Sequence, residues 1–168
     1  MEWNRMVKEF SGTLPSRSVE FDFVEPYAVT IESVGALIYC NQTDRYLFLL
    51  RNNGKFANTW GIAGGKVDSG ETVIQSLKRE VQEEIGITLH NEKLIPLETY
   101  TADNNYFVYH TYIVIVDNEF VPTLNIEHRG YAWTSISDIP RPLHPGLFRT
   151  LRLDEINNKI NSVNDMLN

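Results

Sequence analysis

The sequence has little cysteine: one residue, Cys40, in 168. No internal disulfide is open to it, which fits a reducing compartment, and a cytoplasmic location is the expectation. Long apolar runs are also missing. Nothing approaches the ~18 uninterrupted apolar residues that read as a membrane span. The polar N-terminus does not read as a signal peptide, so no membrane partner is expected. Basic residues are few, with 15 Lys and Arg against 22 Asp and Glu and a net charge of −7. That balance argues against a broad electrostatic grip on nucleic acid. It does not exclude nucleotides, because a bound divalent cation reverses the local field. No internal repeat or low-complexity tract interrupts the chain.

What is present suits a globular fold. Hydrophobic residues make up 42% and charged residues 22%, enough for one domain with a sizeable core. Residues 1–30 read as an N-terminal extension packing on a domain of residues 31–168. Trp3, Met6, Val7 and Phe10 recur at helical spacing, and Val19, Phe21 and Phe23 alternate as in a strand. Val34–Cys40 and Arg45–Arg51 form a hairpin across Asn41–Asp44. Cys40 sits inside that apolar pattern, as a small core residue rather than a nucleophile. Leu94–Thr101 and Tyr106–Val116 are strands around Ala102–Asn105, and Tyr112–Val116 reads as buried on both faces. Tyr100, Tyr106, Phe107 and Tyr109 are either core aromatics or surfaces on which a base could stack. His110 reads as structural. A C-terminal helix enters at Leu143-His144-Pro145, with Leu147, Leu151 and Ile160 on its apolar stripe. Pattern alone implies a mixed α/β domain.

The stretch from Gly65 to Ile87, GKVDSGETVIQSLKREVQEEIGI, organises the rest. A Gly-rich loop leads into a helix from Thr72 to Ile85, which Gly86 ends. Val73, Leu77 and Val81 mark the buried stripe. Glu80, Glu83 and Glu84 lie at i, i+3 and i+4 and share another face. Like charges so placed repel, and they sit at the helix end whose dipole favours cations. A solvated acidic face is the plain explanation of such a cluster. The functional one is a hard divalent cation, which wants oxygen ligands.

The offsets from Gly65 to Glu71, to Arg79-Glu80, to Glu83-Glu84 and to Gly86-Ile87 resemble the box of the Nudix hydrolases at every position. Only the segment before it departs, with Ala63 where the family usually has proline. The resemblance covers about residues 30–155. It implies an α/β/α sandwich with a mixed curved sheet. It also implies a Mg²⁺-dependent hydrolase, with Mn²⁺ as substitute, that cleaves a diphosphate bond in a nucleoside diphosphate linked to another moiety X. Nucleoside triphosphates, nucleotide sugars and dinucleoside polyphosphates are the open classes. By the same resemblance Glu80, Glu83, Glu84, the Gly64 carbonyl and Glu127 are metal ligands. Glu127 lies six residues before Trp133, a spacing found in antimutator-type members. Glu83 or Glu127 is the base. Arg79 orients the carboxylates, with Glu71 beside it. Lys66 is a candidate phosphate contact, and Arg51 and Tyr106 join it as candidate substrate-binding residues; His128 and Arg129 are weaker phosphate candidates. The alternative is a non-catalytic Nudix domain that binds a nucleotide or a protein. Partners are small nucleotides, with an RNA 5′ end the one nucleic acid left open. A homodimer, common in the family, is left open too.

Overall fold

β1 (Ile31–Cys40) is buried from Ser33 to Cys40, so both of its faces meet core. It anchors the computed structural model of the chain, which describes residues 30–90, 93–103 and 106–167. The remaining elements are β2 (Arg45–Arg51), β3 (Trp60–Gly61), β4 (Ala63–Lys66), α1 (Val73–Ile85), β5 (Lys93–Thr101), β6 (Phe107–Val116), β7 (His128–Thr134), α2 (Pro145–Thr150) and α3 (Asp154–Leu167). The seven strands form one mixed sheet. β6 runs parallel to β1, from Ile31↔Phe107 to Cys40↔Val116. Such a pair needs a crossover, and α1 lies within it. β5 is antiparallel to β6.

The other side of β1 is split. β1 meets β2 only at Tyr39↔Tyr46 and Cys40↔Arg45. Further back it pairs instead with β4, from Ser33↔Lys66 to Ala36↔Ala63. β2 meanwhile pairs with β3 at Leu49↔Gly61 and Leu50↔Trp60, and with β7 on its outer edge. Residues 60–66 therefore cross from β2 to β1 where those strands diverge. That crossing delivers the Gly64-Gly65 loop to the middle of the sheet.

Strand alternation distributes two cores. Val34, Ala36, Ile38 and Cys40 pack with Leu77, Val81 and Ile85 of α1. Leu37 and Tyr39 face the other way, onto Leu147 of α2 and Ile156, Ile160 and Val163 of α3. The result is the α/β/α sandwich. Cys40 is a fully buried free thiol in the first core; of the expected two-faced stretch Tyr112–Val116, residues 113–116 are buried and Tyr112 is half-buried.

The C-terminal helix expected from Pro145 onward is two helices. The chain leaves helical form after Thr150 and restarts at Asp154, with Asp154 and Glu155 in the new first turn. Acidic residues suit that end of a helix dipole. Among the described residues, no helix is long and apolar enough to cross a membrane. The helix and strand expected within residues 1–29, and Asn104 and Asn105 of the expected turn, lie outside the described residues.

Candidate active site

Local sequence positions α1 from both ends. Thr72 caps it reciprocally: the Gln75 amide donates to Thr72 Oγ1 at 3.2 Å, and the Thr72 amide donates to Gln75 Oε1 at 2.8 Å. At the other end Gly86 adopts a left-handed φ of 76° and its N–H donates to the Gln82 carbonyl. Ser76 Oγ donates to the Lys66 carbonyl at 3.0 Å, tying the helix to β4. Gly64 is demanded by space as well as by φ: a Cβ there would overlap the Val34 carbonyl and the Gly35 backbone.

The three carboxylates of the helix are graded rather than alike. Glu83 is exposed, with 56% of its side chain accessible, and the Glu80 side chain is at 13%. Glu84 is buried at 2% and accepts a hydrogen bond from the Gly64 N–H at 3.0 Å. Glu84 thus reaches in to the Gly64 amide of β4, while Glu83 stays at the surface. Burial pushes its carboxyl up to about 8, and the charges of Glu127 and Glu80 add to the shift. Glu80 is also raised, by burial first, with Arg79 opposing.

Arg79 occupies the centre of this group. It donates to Glu71 through Nε at 2.9 Å and Nη2 at 3.0 Å, to Glu80 Oε1 through Nη1 at 2.8 Å, and to the Lys66 carbonyl at 2.9 Å. Its contact with Glu83 is longer, at 3.4 Å. The two-pronged bond to Glu71 uses the planar fork that lysine lacks. It holds the Glu71 carboxyl below its ordinary value. Glu127 precedes β7, and its carbonyl accepts from the Asn52 amide at 2.7 Å.

A cavity of about 430 Å³ opens on the α2/α3 face of the sheet. Gly64 and Arg51 line it, as do the aromatic residues Tyr100, Phe107 and Tyr109. The Tyr109 hydroxyl is held above its ordinary pKa by burial and then by the Glu84 charge, so it lies beside the acidic group. It fits there because Gly35 has no Cβ to meet it. Of the substrate-binding candidates, Arg51 lines the cavity. Lys66 is exposed at the end of β4 and Tyr106 is 51% exposed at the start of β6; neither is among the lining residues. Arg129 is bonded to Asn58 at 2.6 Å. His128 is buried, and neither ring nitrogen has a hydrogen-bond partner among the described residues. Burial and then the Arg51 charge bring its pKa to about 4. His144 caps α2 and also lines the cavity. His110 bonds Glu32 and Thr99, as a structural residue does.

The NUDIX domain family matches residues 30–153. The chain belongs to the Nudix family of hydrolases. It is therefore a pyrophosphohydrolase by family, on a fold whose acidic helix matches the box. Nucleoside triphosphatase NudI of Escherichia fergusonii is 28% identical over 120 residues, covering 65% of this chain and 79% of that protein. The solved MutT protein of Methanosarcina mazei superposes with a TM-score of 0.60 at 27% identity, covering 82% of this chain and 97% of that one. A MutT Nudix hydrolase from Burkholderia pseudomallei gives 0.58 at 26% identity, covering 73% and 95%.

Nudix hydrolases generally use divalent metal ions. Among the described residues no three acidic, imidazole or thiol side chains converge on one point; Arg79 contacts Glu80 and Glu83. The chemistry of the donors nevertheless fits a hard cation. Glu84 and Glu80 are carboxylates whose charge is opposed by burial and by neighbouring carboxylates, Glu127 in both cases. Glu83, at the long end of the Arg79 contacts and half exposed, is free to turn. Gly65 leaves space that a Cβ would take from the Glu80 carboxyl.

Among the lining residues that escaped the sequence reading are Glu98 and Arg149. The local pattern carries no signal for them. Glu98 lies two residues past a strand proline, and Arg149 reads as a surface residue of the C-terminal helix.

Proposed function

We propose that the protein is a Mg²⁺-dependent hydrolase, with Mn²⁺ as substitute, of nucleoside diphosphates linked to another moiety. The observation that carries this reading is the placement of Glu84. A buried carboxyl, opposed by neighbouring acidic charge, touches the backbone of Gly64, which lines the cavity together with Arg51. Glu80, Glu83, Glu84, Glu127 and the Gly64 carbonyl are the residues that would hold the cation. When bound, the ion neutralises phosphate charge and stabilises the charge that develops as the anhydride breaks. Arg79, pinned by Glu71, aligns Glu80 and Glu83. Arg51 is placed to meet a phosphate from within the cavity. A water attacks phosphorus, and Glu83 or Glu127 takes its proton. In keeping with the family match over residues 30–153, we assign the working domain to 31–168, with 1–30 as an extension. The substrate is a small nucleotide, the compartment the cytoplasm.

The test is release of phosphate or pyrophosphate from common (d)NTPs, nucleotide sugars, ADP-ribose and dinucleoside polyphosphates, with Mg²⁺, with Mn²⁺ and with EDTA. Metal-dependent turnover of at least one supports the reading. Nucleotide binding without turnover under any divalent ion would overturn it in favour of a binding module.

A further inference from the structure

β5 changes phase as it passes the cavity. Ile95 and Leu97 belong to the core beneath α2 and α3. A bulge between Pro96 and Glu98 then shifts the register. Beyond it the even-numbered Glu98 and Tyr100 line the cavity instead. Bulges next to active sites re-aim side chains in this way. Here the bulge points a carboxylate and an aromatic ring at α2.

The carboxylate is fully used. Glu98 Oε1 accepts from Arg149 Nη2 at 3.0 Å, and Oε2 accepts from Thr150 Oγ1 at 2.6 Å. The Arg149 guanidinium carbon also lies 3.9 Å from the centroid of the Tyr100 ring. A residue with four rotatable bonds is thereby held by a hydrogen bond and a ring face. Nε and Nη1 of Arg149 make no further hydrogen bond among the described residues, and its side chain remains 41% exposed. One edge of its planar fork, the second Nη2–H with its neighbour on that side, is left as an ordered donor pair on a cavity wall whose floor is aromatic.

Position across the sheet gives this pair its meaning. Glu98 is opposite Thr111, Thr111 opposite Gly35, and Gly35 opposite Gly64. Three strand spacings separate the acidic end of the cavity from the Glu98–Arg149 end, roughly 14 Å. With a diphosphate at the Gly64 end, a nucleoside laid along the floor brings its base to Arg149.

We propose that Arg149, positioned by Glu98 and Tyr100, reads the nucleobase and selects bases that present carbonyl oxygen acceptors, guanine over adenine in particular. The inference rests on the nucleotide-hydrolase reading above. A guanidinium fork pairs with the O6 and N7 acceptors of guanine; adenine sets an amino donor against it at the O6 position. Pyrimidines meet the same donors through their carbonyl oxygens, so adenine is the base discriminated against. Phe107 supplies stacking surface, which all bases accept equally, leaving the discrimination to Arg149.

The experiment has two readouts on the full chain. Binding of non-hydrolysable GTP and ATP analogues is measured by calorimetry, and kcat and KM are measured with GTP, UTP and ATP in Mg²⁺. The wild type is expected to favour the guanine nucleotide over the adenine one by about tenfold or more in both. Arg149→Met is expected to abolish that ratio, mainly through KM for GTP, and Arg149→Lys, which lacks the fork, not to restore it. Glu98→Gln, which loosens the guanidinium, is expected to fall between. Circular dichroism shows whether each variant is folded. A wild-type ratio near one, or equal losses for GTP and ATP in Arg149→Met, overturns the proposal. Selective binding without turnover of any nucleotide overturns the hydrolase reading and leaves base selection standing.

Discussion

Glu84 is buried with a charge-disfavouring environment, and that has a measurable consequence in metal-free protein. Its carboxyl ionises near 4.5 ordinarily and near 8 in the fold. Between those values the folded state holds the extra proton, so stability falls as pH rises. His128 acts in the opposite sense. Its pKa drops from 6.5 to about 4 on folding, so it removes stability as pH falls through that range. The interval from 6.5 to 8 isolates Glu84. EDTA-treated protein is expected to lose on the order of 1–2 kcal/mol across it, read as the urea midpoint, and Glu84→Gln to flatten the loss. Mg²⁺ is expected to raise the melting temperature of the wild type, by about 2.7 kcal/mol of stability at a hundredfold excess over Kd. Glu84→Gln is expected to show little of that rise. Glu83→Gln is expected to lower turnover ~10²-fold or more with an unchanged melting temperature; full activity would remove Glu83 from the site.

α1 presents its acidic residues correctly only if its two ends are fixed. The capping box makes the entry rigid, and Thr72→Ala is expected to cost about 1 kcal/mol. A Cβ at Gly86 would meet Thr123 as well as a φ of 76°. Gly86→Ala is therefore expected to cost about 1–3 kcal/mol, visible in the denaturation midpoint. If the cost is under a few tenths, the left-handed cap is not what ends the helix. β5 shows a different device. Its proline is tolerated because, among the described residues, the strand pairs on one side only, with β6, and the bulge beside it turns the strand from filling core to lining the cavity.

For the whole molecule, the split between β1 and β2 matters most. It lets residues 60–66 enter mid-sheet, so that a helix on one face and a cavity on the other share Gly64. Leu77 is fully buried where α1 meets that sheet. Leu77→Ala is expected to cost about 2–5 kcal/mol and to weaken metal binding along with stability. A variant that loses stability yet binds Mn²⁺ as tightly as the wild type would separate the helix packing from the site.

Much of this was legible in the chain itself. The box spacing from Gly65 to Ile87 named the family, because a loop, a helix phase and a set of acidic offsets are all local. The hairpin, the cap at Gly86 and the two-faced burial of residues 113–116 follow from short-range pattern in the same way. What the tertiary structure decided is everything that depends on which strand lies beside which. The burial of Glu84, the grading of the three carboxylates, the exposure of Lys66 and Tyr106, and the break between α2 and α3 belong here. So does the meeting of Glu98 with Arg149, which lie 51 residues apart. Periodicity says which residues share a face. It does not say which faces meet, and a bulge changes even the first of these without leaving a mark in the residue pattern.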